Sequence, residues 1–75
     1  MLLVRHGQSG ATVRTIQVLL NNLTPIFPRL AEDGIFGPKT HGAVVQFQQK
    51  NSLGPDGIVG PKTGGAMLAV LGRRG

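Results

Sequence analysis

The sequence contains DGIFGPKTHGAV, from Asp33 to Val44, and repeats it 23 residues later as DGIVGPKTGGAM, from Asp56 to Met67. The two copies agree at nine of twelve positions. Self-similarity at a fixed offset indicates that one structural unit is used twice. The repeat therefore predicts two equivalent segments within the chain.

Each copy predicts a turn followed by a helix. An Asp–Gly pair favours a chain reversal, because the carboxylate can accept bonds from backbone amides ahead of it and Gly tolerates positive φ. An apolar pair follows, and then Gly37–Pro38 or Gly60–Pro61 predicts a helix start, since Pro suits the first helical position. Thr40 and Thr63 fall in the first turn, where a hydroxyl can bond free backbone groups.

A third helix is predicted before the repeat. Apolar residues recur there at spacings of three and four, which is typical of an amphipathic helix. The predicted helices run from Gly10 to about Leu23, from Pro38 to about Asn51 and from Pro61 to about Leu71. The predicted fold class is therefore all-α: a small orthogonal three-helix bundle with pseudo-duplicated DG-turn and helix units.

Two expectations concern packing. Gly42 and Gly65 are equivalent in the repeat, and each costs a helix about 1 kcal/mol relative to Ala; we expect both at points of close backbone approach. Prolines exclude a continuing helix over residues 24–32. We expect the apolar side chains of that loop to fold onto the core: Ile26, Phe27 and Leu30.

Length and composition limit the chain to one small folded domain. It has 75 residues, no Cys and two His, so it has neither a disulfide framework nor a thiolate metal site, and no cofactor is expected. We expect an N-terminal segment over residues 1–9, the helical domain over 10–71 and a tail or linker over 72–75. No apolar run is long enough for a secretory signal or a membrane span, which predicts a chain that is made in the cytoplasm and has no membrane partner. We also expect a monomer.

The repeat and the helix before it resemble the peptidoglycan-binding domain 1 family. The motif that carries the resemblance is DG, an apolar pair, Gly and a downstream Thr, present twice with Phe47–Gln48 between the copies. Further matching positions are Gly10, Val13, Ile16, Gln17 and Leu20. The resemblance implies a non-catalytic three-helix module that holds a cell-wall hydrolase, such as a phage endolysin or a secreted effector, on peptidoglycan at the cell wall or in the periplasm.

Candidate ligand-binding residues follow from charge and from the repeat. The net charge of +5 favours anionic partners. With no Trp or Tyr, an aromatic platform for sugar stacking is nearly absent, and the three Phe are better explained as core residues. The expected ligand is peptidoglycan, through its stem peptides, its glycan or both, and this composition favours contacts to stem-peptide carboxylates over stacking on bare glycan. Cations that could attract them are Arg14, Lys39, His41 and Lys62. The polar candidates each have a structural alternative: Asp33 and Asp56 as turn residues, Gln17 and Gln48 as buried amides that bond loop backbone groups.

Other functions were weighed against this one. LVRHGQS, from Leu3 to Ser9, resembles the start of histidine phosphatases, but that chemistry needs a larger α/β scaffold and more arginines. Nothing in the spacing of the three carboxylates supports a glycosidase pair, and the dispersed basic residues do not favour nucleic-acid binding. The main alternative is a structural or autoinhibitory module that docks on its own catalytic domain or another protein partner.

Overall fold

A computed structural model of the chain describes residues 3–23 and 29–74. Its helices are α1 (Ala11–Leu23), α2 (Pro38–Lys50) and α3 (Pro61–Arg74). The described residues form no strand beyond two isolated antiparallel bridges. The predicted all-α, three-helix class is confirmed. α3 ends at Arg74, beyond its predicted end at about Leu71, so the helix includes residues 72–74 of the predicted tail.

The core forms where α1 packs against both other helices. The apolar stripe of α1 points inward, and Val13, Ile16 and Leu20 are buried. The inner face of α2 supplies Val44 and Phe47, both at 0% exposure. Further buried apolar residues come from the arm, loops and other helix positions: Val4, Leu30, Phe36, Ala43, Val59 and Met67. Leu30 thus folds onto the core as predicted, whereas Ile26 and Phe27 lie outside the described residues.

An extended N-terminal arm, residues 3–10, crosses both DG turns. The Val4 and Val59 backbones exchange two hydrogen bonds, of 3.0 and 2.8 Å, and Gly10 N–H donates to Gly34 O at 2.8 Å. Phe36 N–H donates to Gln8 O at 2.9 Å. Residues 1–9 were expected to form a segment before the helical domain. Val4 of this segment is a core residue, so the packed unit extends into it.

The glycines that the structure requires lie in the turns and not inside the helices. The prediction of close backbone approach at Gly42 and Gly65 is wrong, because a Cβ added at either position meets no atom within 4 Å. Gly34 and Gly57 have φ of 76° and 75°. A Cβ on Gly57 would overlap the His41 imidazole, which lies over this turn.

We expect Gly42→Ala to stabilise the domain by about 0.5–1 kcal/mol, since it removes backbone entropy from the unfolded chain at an open helical site. Gly57→Ala should destabilise it by more than about 1 kcal/mol, through positive φ and the clash with His41. Urea unfolding of both variants measures the change. A loss of stability in Gly42→Ala would restore the close-approach interpretation.

Candidate functional site

Two buried glutamine amides hold the DG turns in place. Gln17 on α1 and Gln48 on α2 are each 1% exposed. The Gln48 Nε2 donates to Asp56 Oδ1 at 2.8 Å, Ile58 O at 3.0 Å and Thr63 Oγ1 at 3.0 Å, while its Oε1 accepts Gly57 N–H at 2.9 Å. One side chain therefore ties a turn to the first turn of the next helix.

Gln17 makes the same four contacts in the first copy. Its Nε2 donates to Asp33 Oδ1 at 3.1 Å, to Ile35 O at 3.0 Å and to Thr40 Oγ1 at 3.1 Å, and its Oε1 accepts Gly34 N–H at 2.9 Å. Of the two roles weighed for these glutamines, the structure shows the buried-amide role. The threonine hydroxyls bond these side chains and not the backbone groups predicted for them.

The two aspartates shape the turns that the glutamines hold. Asp33 Oδ1 also accepts Ile35 N–H at 3.0 Å, and Asp56 Oδ1 accepts Ile58 N–H at 2.9 Å. These backbone bonds, followed by the glutamine amide bonds, lower the pKa of both carboxyl groups below the ordinary value. Both carboxylates are therefore ionised turn residues.

Asn21 provides a similar tether for the longer first loop. Its Nδ2 donates to Leu30 O at 3.0 Å and to Glu32 Oε2 at 3.0 Å, and its Oδ1 accepts Leu30 N–H at 2.9 Å. Arg29 Nη1 donates to Asn21 O at 3.3 Å. These bonds bring Leu30 to the edge of the first DG turn.

A cleft opens beside each DG turn. Cleft A has a volume of about 360 Å³ and is lined by Gln17 and by residues 30–31, 33, 35 and 37–40. Cleft B has a volume of about 590 Å³ and is lined by Leu3 and by residues 53–54, 56, 58 and 60–63. Apart from Gln17 and Leu3, every lining position of one cleft has its equivalent in the other at the repeat offset of 23 residues.

The structure divides the predicted site residues between these clefts. Asp33 and Lys39 line cleft A, and Asp56 and Lys62 line cleft B. Both lysines are exposed. Gln17 reaches the wall of cleft A from within the core, whereas the buried Gln48 lines neither cleft. Arg14 is exposed outside both clefts.

His41 also lies outside the clefts, next to His6 of the arm. Their ring centroids are 6.4 Å apart in an edge-to-face arrangement. The sequence analysis did not predict this pairing, which follows from the bond of 3.0 Å between Gly7 N–H and Phe36 O. Among the described residues, no group of three or more His, Asp or Glu side chains could hold a metal ion.

The apolar residues that line each cleft were not among the predicted site residues. Leu30 and Leu53 are equivalent, as are Ile35 and Ile58. Extending the repeat upstream by three residues, from the Asp to the Leu, would have found the first pair. Leu3 has no equivalent, because only the arm brings it to cleft B.

The chain was compared with known proteins. The sequence model of a family described as a peptidoglycan binding domain matches residues 9–67. No curated protein matches the chain. Within the described residues, no helix is both long enough and apolar enough to cross a bilayer.

Three solved structures share the fold. The SleB N-terminal domain has a TM-score of 0.83 at 32% identity, covering 91% of this chain and 90% of that one. A peptidoglycan-binding protein from Clostridioides difficile, solved with glutamine hydroxamate, has a TM-score of 0.80 at 39% identity, covering 88% and 40%. A fused Zn-dependent amidase/peptidase and peptidoglycan-binding-domain protein from Clostridium acetobutylicum has a TM-score of 0.79 at 36% identity, covering 88% and 28%. This chain thus spans well under half of the two clostridial chains.

Gln48→Leu should destabilise the domain by about 3 kcal/mol or more. It leaves the buried Gly57 N–H and Thr63 hydroxyl without their partner, and each such loss costs about 1–3 kcal/mol. Gln49→Leu is the matched control, since Gln49 is exposed on the same helix; we expect a change within about 0.5 kcal/mol. Urea unfolding compares the two, and equal effects would contradict the role of Gln48.

Acid should weaken the fold through the two aspartates. Because their folded pKa values are lowered, the stability they contribute is present above the unfolded pKa of about 4 and is lost as the pH falls through the folded values. Asp33→Asn/Asp56→Asn should flatten the pH dependence of the urea midpoint below about pH 4. An unchanged slope in the double variant would assign the acid sensitivity to other groups.

Proposed function

The chain belongs to the peptidoglycan-binding domain family, and from that membership we propose that it is a non-catalytic module that holds a larger cell-wall hydrolase on peptidoglycan. The observation that carries the proposal is the family match over residues 9–67. The C. acetobutylicum protein supports the hydrolase part, because a similar domain is there fused to a Zn-dependent amidase/peptidase. Its site of action would be the cell wall.

The distribution of charge supports peptidoglycan as the ligand. Lys39 and Lys62 are exposed, and neither forms an ion pair or hydrogen bond with the part of the chain described. Two of the three acids in the chain, Asp33 and Asp56, bond the turns. The surface therefore presents cations without acidic partners, which suits a polymer whose peptides carry carboxylates.

The site residues take two kinds of role in this proposal. Lys39 and Lys62 contact peptide carboxylates, and Arg14 and His41 add positive charge or hydrogen-bond donors at the surface around them. The remaining candidates act through the shape of the turns that border the clefts: Gln17, Asp33, Gln48 and Asp56. No aromatic side chain of the described residues lines either cleft, so this part of the chain offers no surface there for stacking on sugar rings.

A sedimentation assay with purified sacculi tests the proposal. We expect the folded domain to pellet with sacculi at low and moderate salt, with retention falling as salt rises because surface charges are screened. Chitin, a related glycan without stem peptides, is the control and should retain little protein. Equal recovery in the supernatant with and without sacculi would overturn binding.

The same samples test the non-catalytic role. The turbidity of the sacculus suspension should stay constant in the presence of the domain. Clearing of the suspension by the domain alone would contradict that part of the proposal.

A further inference from the structure

We propose that clefts A and B are two copies of one binding site, and that each takes a short peptide with a free carboxylate. The domain would then hold peptidoglycan at two points. This inference rests on the proposed function and deepens it.

The two copies of the repeat agree more closely at some equivalent positions than at others. Of the eight equivalent lining positions, only Ala31 and Gly54 differ in residue type. In contrast, the buried Phe36 corresponds to Val59, and the buried Val44 to Met67. Two core pairs have thus diverged between the copies, although Ala43 and Ala66 are the same, while the residues that line the clefts are nearly identical.

Folding does not account for this identity at the exposed positions. Ile35 is 60% exposed, and many residues serve equally well at a solvent-facing position that makes few contacts. The side chains of Lys39 and Lys62, at the second position of their helices, form no hydrogen bond or ion pair with the described residues. A lysine near a helix N-terminus is also unfavourable to the helix dipole. A shared ligand explains why both copies keep these residues.

Each cleft combines a positively charged side chain with apolar ones. The lining of each cleft includes a lysine, a leucine and an isoleucine. An anionic group next to a small apolar one complements this arrangement, as in a peptide that ends in alanine with a free carboxylate. The volumes of about 360 and 590 Å³ lie within the range of about 300–1,000 Å³ of small-ligand sites.

One lining residue of cleft B has no equivalent in cleft A, which allows cleft B to be perturbed by itself. Leu3 of the arm lines cleft B only, and it is 48% exposed. Leu3→Ala should therefore weaken cleft B without affecting cleft A or the core. It provides a second variant for cleft B that leaves the charge unchanged.

The test is a titration followed by NMR and calorimetry. The probe is a synthetic stem tetrapeptide ending in D-alanine with a free carboxylate, with its C-terminal amide as the ligand control. We expect two peptides to bind per domain, with shifts at both DG turns, and the amide to bind at least ten-fold more weakly. Lys39→Ala should leave one site at the second turn and Lys62→Ala one site at the first, while Leu3→Ala should weaken the second-turn site alone.

Sacculus binding gives an independent readout. Because two linked contacts bind more tightly than either alone, each single lysine variant should lose ten-fold or more in sacculus affinity, and the double variant should lose retention. Arg5→Ala, which removes one exposed positive charge outside both clefts, is the matched control and should lose no more than about two-fold.

The outcomes separate this inference from the proposed function. If the wild-type domain pellets with sacculi but takes up one peptide or none, or if one of the two lysine variants behaves like the Arg5→Ala control, the two-site inference is overturned and the proposed function stands. If the folded domain does not pellet with sacculi at all, the proposed function itself fails.

Discussion

The structure depends on the hydrogen-bond requirement of two buried primary amides. A glutamine at 1% exposure would destabilise the core unless its polar atoms were bonded. Each glutamine meets this requirement by bonding a backbone N–H, a backbone carbonyl, a carboxylate and a threonine hydroxyl of the following turn and helix. No buried side-chain polar atom of the described residues is left without a partner. The amides thus fix the turns in an arrangement that satisfies them.

This constraint leaves some of the residues that line each cleft without a part in holding the turn. The amide, the aspartate and the threonine bond one another, so Ile35, Lys39 and their equivalents are free to face solvent. Because each turn is held by bonds to the core, the cleft beside it is preorganised, and a ligand bound there would lose little conformational entropy. The same architecture tolerates exchange of Phe36 for Val59 in the core while the cleft is retained.

The arm adds contacts that neither copy of the repeat could make alone. The arm bonds the first turn through Gly10 and the second through Val4, and so it joins the two copies of the repeat. It also makes the clefts unequal, since Leu3 reaches only cleft B. A twofold repeat therefore becomes a domain with two similar but distinguishable surfaces.

The sequence by itself determined the three helices, both turns and the identity of the family, because helix periodicity, Asp–Gly turns and Gly–Pro helix starts act over a few neighbouring residues. It also placed the aspartates in the turns and proposed a buried role for the glutamines. The tertiary structure alone decided the pairing of His6 with His41, the insertion of Val4 into the core, the open surroundings of Gly42 and the assembly of two clefts. Each of these depends on contacts between segments that are distant along the chain, and no local pattern encodes which distant segments will meet.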